Sequence, residues 1–205
     1  GMMGATGIAL RVGDAILTMT QGSLALTLIA TMLLAIALGM GMPTTASYVM
    51  ASAVGAPALI LLGCKPLDVH FFVFYFAALS SITPPVCVGA YTAAGIAGAD
   101  PNRTAFASIR LGLAGFVIPF VFIYSPELLL TNVTNWFSFG IAVVTACVGV
   151  FSLAIATEGY ALGPVSLPLR LVALAAAILL IVPGIVTDAV GIGLLALVIV
   201  LSRRS

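Results

Sequence analysis

The residues with the greatest chemical potential in this chain are glycines and hydroxyls that interrupt apolar sequence. The segment GMGMPTT, residues 39–45, sets Gly39, Gly41, Pro43, Thr44 and Thr45 in a stretch with no charge between Asp14 and Lys65. The segment SSITPPV, residues 80–86, puts Ser80, Ser81 and Thr83 just before Pro84 and Pro85, with Val86 after them. Proline removes a backbone donor and clashes with the preceding turn. The residue before it resists the α region. Both segments are therefore expected to break a helix, the second leaving an unwound waist at 80–86. Broken helices release backbone carbonyls, and the hydroxyls add further oxygens. Such an oxygen-only set suits a hard monovalent cation and needs no carboxylate. The N-termini of half-helices suit an anionic group. In hydrocarbon, non-helical backbone survives only where protein buries it or where it lines a cavity. Discontinuous helices meeting at the midplane are a recurring design of secondary transporters. For either break alone, an ordinary membrane-helix kink is the competing explanation.

The elements that position these breaks follow from composition. The 205-residue chain is 62% hydrophobic and 6% charged, with a mean hydropathy of +1.30. A soluble domain carries about 25% charged residues, so the expected class is an all-α polytopic membrane protein. Residues 22–39 and 45–63 form two apolar arms of a helical hairpin at 22–63, and polar 64–70 closes it. Residues 71–99 can span but carry the waist. A polar loop is expected at 100–104, a span at 105–124, an interfacial segment at 125–135 with a span at 136–157, and a Gly/Pro-rich linker at 158–170. The short segments 171–182 and 189–201 read as a helical hairpin or one kinked span. The opening residues lack the charged region and cleavage site of a signal peptide, and the chain is expected to be the C-terminal portion of something longer.

Other chemistries find little support. There is one histidine, His70, no HExxH, no GxSxG, and no carboxylate from 15 to 67, which argues against an intramembrane enzyme. Cys64, Cys87 and Cys147 are too far apart for a metal-type pair and read as small hydrophobes. A net charge of +1 without a basic patch excludes a nucleic-acid partner. Arg110 is an intramembrane charge, a functional candidate by default, although snorkelling or pairing with a helix end also accounts for it. Asp188 is expected to cap a helix, and Glu127 and Glu158 to be solvated at the interface. Counting crossings puts Arg11 and Lys65 on one side and Arg103 and Arg170 on the other. Arg203 and Arg204 join the latter if 171–201 is a hairpin, which places that side in the cytoplasm.

The motifs GMGMPTT, SITPPV, AAGIAGADP and the segment from Arg110 to Glu127 resemble the large membrane subunit of tripartite ATP-independent periplasmic (TRAP) transporters. The similarity covers about residues 1–130 and is greatest to the fused-permease branch served by TAXI-type binding proteins. Residues 131–157 and 158–205 resemble, more loosely, the additional helices of those permeases. The resemblance implies a sodium-coupled, elevator-type importer of a small organic anion in the bacterial or archaeal inner membrane. It implies a periplasmic substrate-binding protein, the remainder of the permease and a small membrane subunit or its fused equivalent as partners. No cofactor beyond sodium as coupling ion is implied. The chain matches the second of two inverted repeats, each a re-entrant hairpin with a broken helix, and alone is not expected to transport. Carried over residue by residue, the sodium ligands are Gly39 and Gly41 at the hairpin tip and Ser80, Thr83 and Val86 at the waist. Some relatives have Gly where this chain has Ser80. Thr44, Thr45, Ser81 and Arg110 are candidates for the substrate path. Another ion-coupled symporter of similar architecture, or a channel or structural membrane subunit, is the alternative.

Overall fold

A computed structural model describes residues 8–130, 135–181 and 184–203. Among these residues the secondary structure is helical, with one isolated bridge between Tyr160 and Pro164. The protein is an all-α polytopic membrane protein. Among the described residues three helices are long and apolar enough to cross a bilayer: Thr44–Leu61, Pro101–Tyr124 and Trp136–Glu158. The chain divides into two compact units, one ending at Gly112 and the other beginning at Leu113.

In the first unit, α1 (Ile8–Met19), α2 (Leu24–Gly39), α3 (Thr44–Leu61) and α4 (Pro66–Leu79) pack together. Their core holds Leu28, Ala35, Ala51, Ala58, Leu59, Val69, Phe72 and Phe76. Phe72 and Phe76 meet edge to face at 4.8 Å. With hydrocarbon outside, close contact between small side chains brings helices together. Gly55 is such a place, since a Cβ there would stand 2.8 Å from Thr31 Cγ2. A 3-10 turn at Ser80–Ile82 follows α4, and the helix resumes as α5 (Val88–Ala97).

Two of the helix starts in the first unit lie several residues earlier than the sequence reading places them. Helix α4 begins at Pro66, inside the expected polar connector, and α6 (Pro101–Tyr124) begins inside the expected loop at 100–104. The reason is the same in both: proline fits the first helical position, where no donor is needed. Asp100 caps α6, its Oδ1 accepting the Arg103 N–H at 2.8 Å, and Gly98 ends α5 in the left-handed conformation at φ 61°.

In the second unit, a 3-10 turn at Pro126–Leu129 follows α6, and α7 (Trp136–Glu158) starts at Asn135, whose side chain accepts the Phe137 N–H at 2.9 Å. Helices α8 (Leu167–Ile181) and α9 (Ile185–Ser202) complete it. Helix α8 begins within the expected linker, again with a proline, Pro168, in its first turn. Gly191 of α9 faces Leu180 and Ala176 of α8, while Gly163 just before α8 faces the Ser202 carbonyl at the end of α9. The two helices therefore run antiparallel. Ile155, Ala173, Ala176, Leu195 and Val198 form the core of this unit.

Arg170 has a position that sequence alone leaves as a topological marker. Its Nε donates to the Ala156 carbonyl at 2.7 Å and its Nη2 to the Thr157 carbonyl at 2.6 Å. These are orphan carbonyls at the end of α7, so one cation from α8 closes that helix end. Gly159, at φ 70°, makes the turn beneath it.

Candidate functional site

The site lies in the first unit, where the two breaks meet. Helix α2 ends at Gly39, Met40 is extended, Gly41 takes φ 75°, and α3 starts at Thr44. At the waist, α4 gives way to the 3-10 turn, and Thr83 is extended at φ −101° and ψ 120°. A Cβ on Gly39 would lie 2.5 Å from Ser47 Oγ and 2.7 Å from Ser80 Cβ. One on Gly41 would lie 3.3 Å from Val86 Cγ1. Tip and waist are thus in direct contact, Gly39 on Ser80 and Gly41 on Val86. That seam requires glycine for space at residue 39 and for conformation at residue 41.

The waist hydroxyls have a role beyond the one their composition suggests. Ser80 Oγ donates to the Ala77 carbonyl at 2.7 Å, Ser81 Oγ to Ala78 at 2.8 Å and Thr83 Oγ1 to Leu79 at 2.8 Å. Their protons cap the last turn of α4. What they leave over is lone pairs, which a cation can use and a donor-poor apolar environment otherwise does not satisfy.

Three participants were not singled out from sequence. Ser47 is fully buried against Gly39, and its Oγ has no hydrogen-bond partner. Ser108 of α6 donates to the Ile82 carbonyl at 3.0 Å, fastening the waist from outside. Tyr91 donates to the Pro85 carbonyl at 2.9 Å. Nothing local marks these residues, because each acts across the fold. The spacing of Ser47 three positions after Thr44, near one helical turn, was the one available signal.

The remaining candidates sit apart from the seam. Thr44 and Thr45 are exposed in the first turn of α3, and Ser81 is exposed at the waist. Arg110 is exposed, about two and a half turns into α6 rather than the one and a half that a start at residue 105 implies. It follows Ser108 by two residues, so the two point to nearly opposite faces. His70 is not isolated: its Nδ1 and Tyr48 Oη are hydrogen-bonded at 3.1 Å, linking α4 to α3.

Electrostatically the two breaks gather four helix ends, the C-termini of α2 and α4 and the N-termini of α3 and α5. The C-termini of α2 and α4 converge there, and neither has a basic residue in its last turn. Helix C-termini carry about half a negative charge each. Among the described residues no group of three or more His, Cys, Asp or Glu could hold a metal ion, so any cation there would rest on neutral oxygens.

Residues 1–137 match the family model described as the tripartite ATP-independent periplasmic transporter, DctM component. The chain belongs to the DctM family. No curated protein and no solved structure matches it. The DctM match spans both breaks and the whole of α6, and it ends where α7 begins. It makes the chain a TRAP permease component, a membrane-embedded part of a transporter rather than an enzyme. Such a component works with a periplasmic binding protein and further membrane subunits. Helices α8 and α9 lie outside the match.

Proposed function

We propose that this chain carries a sodium site of a TRAP permease, formed by the hairpin tip at 39–43 and the waist at 80–86. The permease imports a small organic anion handed over by a periplasmic protein. The observation that carries this reading is the contact of Gly39 with Ser80 beside the buried, unpartnered Ser47 Oγ. An orphaned buried hydroxyl costs about 1–3 kcal/mol. Two helix C-termini add negative potential without a fixed cation to offset it. A small hard cation would relieve both costs and tie tip to waist.

The chain's own residues then do the coupling. With the cation in place, Gly39 and Gly41 stay seated on Ser80 and Val86, and the hairpin is held closed. Thr44 and Thr45 are exposed in the first turn of α3, where their hydroxyls and the unsatisfied N–H groups suit an anion. Anion and cation would therefore bind on either side of one short segment, each favouring the seated tip. Closure around both would license movement of the unit across the membrane.

The test is uptake by the full-length permease in proteoliposomes with its binding protein, titrated with sodium at fixed pH. The expected result is saturable uptake that requires inward sodium. Equal uptake with a proton gradient and no sodium would overturn the ion assignment. Uptake that never saturates would overturn the symporter.

A further inference from the structure

We propose that α8 and α9 form a re-entrant hairpin, which enters the membrane from the Arg170 side and turns back near its middle. The space beyond its tip, beside the first turns of α7, is then an aqueous vestibule open on the Trp136 side.

The depth follows from the register of the three helices. Helix α7 has 23 residues, about 34 Å, enough for a hydrocarbon core of about 30 Å. Exposed Trp136 at its start suits one interface, and Glu158 ends it at the other. Helix α8 runs back along α7. Arg170 holds the Ala156 and Thr157 carbonyls, and Ser152 Oγ donates to the Ala173 carbonyl at 2.8 Å. A Cβ on Gly149 would stand 3.2 Å from Leu180 Cβ. Helix α8 ends one position later, at Ile181. Gly149 is about 20 Å of helix away from Trp136. Helix α9 begins at Ile185 and returns, with Gly191 against Leu180 and Ala176. At 15 residues, about 22 Å, α8 is too short to cross the core. Burial along α7 records where its cover stops. Its buried residues are Gly149, Ser152, Leu153, Ile155 and Ala156, whereas Trp136, Phe137, Ile141 and Val144 are exposed.

A cavity of about 530 Å³ occupies the uncovered stretch. Ser125 and Glu127 of the α6–α7 junction and Ser138 line its mouth, Thr145 and Asp188 its inner end, with apolar side chains between them. Thr145 is about 13 Å along the helix from Trp136, so the cavity reaches almost halfway through the core. Glu127 is half-buried at the mouth rather than free in solvent. Asp188 turns a carboxylate oxygen to the Gly184 backbone N–H, as a capping residue does, and is itself half-buried. An ionisable side chain at this depth faces water or protein, not lipid. The helix break before α9 has the same requirement, since non-helical backbone within a membrane must be covered by protein or line a cavity. An acyl chain would leave the polar groups of the inner end unsolvated. At about 30 Å³ per molecule the cavity has room for more than about ten waters.

The experiment uses the full-length permease, cysteine-free except for one introduced residue, in intact cells and in inverted vesicles. An impermeant thiol reagent reads water, because it reacts with the thiolate and hydrocarbon suppresses that charged form. Ser138→Cys and Thr145→Cys should label from the same side as Trp136→Cys and within about tenfold of its rate. Phe151→Cys, exposed on α7 but outside the cavity, should label at least about a hundredfold more slowly. Depth is read separately. A bimane on Val186→Cys, exposed in the first turn of α9, should be quenched more by lipids with a mid-chain nitroxide than by headgroup nitroxides. A bimane on Trp136→Cys should show the reverse. A thermal melt confirms that each variant is folded, and Ser138→Cys, nearly isosteric, is the least disruptive of them. Thr145→Cys labelling as slowly as Phe151→Cys would mean that lipid or another helix fills the space, and would overturn the vestibule. Headgroup-level quenching at Val186 would make α8 and α9 a complete crossing and overturn the re-entrant hairpin. Labelling of Thr145→Cys from the Arg170 side alone would overturn the direction of opening.

Discussion

The two units end helices in apolar surroundings by opposite means. At the end of α7, Arg170 places a permanent guanidinium on the Ala156 and Thr157 carbonyls. At the ends of α2 and α4, the last turns have no basic residue, and the caps of α4 are the neutral hydroxyls of Ser80, Ser81 and Thr83. The same electrostatic demand, positive charge at a helix C-terminus, is met covalently in one unit and left open in the other. A site that is to bind and release a cation must leave the demand open. On the proposed function, the contrast separates a helix end built for stability from one built for exchange.

Substitution at Gly39 should break this contrast most completely. In Gly39→Val, the added side chain meets Ser47 Oγ at 2.5 Å and Ser80 Cβ at 2.7 Å, and overpacking of this kind costs about 1–3 kcal/mol even where neighbours can shift. The tip should fail to seat, and uptake by the full-length permease should be lost while membrane insertion is retained. Uptake near the wild-type rate would show that the tip need not rest on the waist. Arg170→Met addresses the other side. It removes two charge-assisted hydrogen bonds, worth about 1.5–3 kcal/mol each, so the thermal midpoint of the permease should fall. The sodium half-saturation of what remains folded should not change. If it did, the permanent cation would not be the independent cap that the contrast requires.

How far the sequence already contained this picture differs between the two ends. The two breaks were legible because their causes are local: Gly39, Gly41 and Pro43 at the tip, and Pro84 with Pro85 at the waist, are punctuation that any chain must obey, whereas only the family resemblance paired them. The all-α class followed from composition. What escaped was non-local. Ser47 and Ser108 look like incidental hydroxyls until the fold sets one behind Gly39 and the other on the Ile82 carbonyl. Arg170 counted only as a charge on one side of the membrane, since nothing in sequence shows that it reaches back across a turn to α7. Helix starts were misplaced where proline read as a breaker, at residues 66 and 101, although it also opens helices.

Thr83 gives a smaller effect that sharpens the contrast. Its hydroxyl caps Leu79 at 2.8 Å and, on the proposed function, also lends a lone pair to sodium. Thr83→Ala and the isosteric Thr83→Val should both raise the sodium half-saturation by about 5- to 30-fold, the equivalent of about 1–2 kcal/mol for one polar contact. An unchanged value in both would reduce Thr83 to a cap like Arg170. Orientation is tested on the same footing. Asn102 is exposed in the first turn of α6, and the charge bias assigns it to the cytoplasm. A cysteine there, in an otherwise cysteine-free permease, should resist an impermeant thiol reagent added outside intact cells. Rapid labelling would invert the topology and put the tip on the wrong side to meet a periplasmic partner.

The smallest expected effect concerns the turn between α3 and α4, where a charge is again left without full compensation. Burial, and then the Asp68 carboxylate beside it, push the Cys64 thiol above its ordinary range. Asp68 itself is 2% exposed, and its Oδ1 has no hydrogen-bond partner. Only the thiolate is nucleophilic, so near neutral pH Cys64 should alkylate more slowly than a free thiol. The rate should rise about tenfold per pH unit and still be climbing above pH 9, because the raised pKa keeps the thiolate a minority form. Asp68→Asn removes the secondary cause and leaves burial in place. The sign follows: with less negative charge nearby, the thiolate is easier to form, and the rate at fixed pH should increase a few-fold. Mass spectrometry of the peptide containing Cys64 separates it from Cys87, which is buried, and Cys147. A slower rate in Asp68→Asn would mean that the carboxylate activates the thiol rather than opposing it. An unchanged rate would mean that burial alone sets its reactivity.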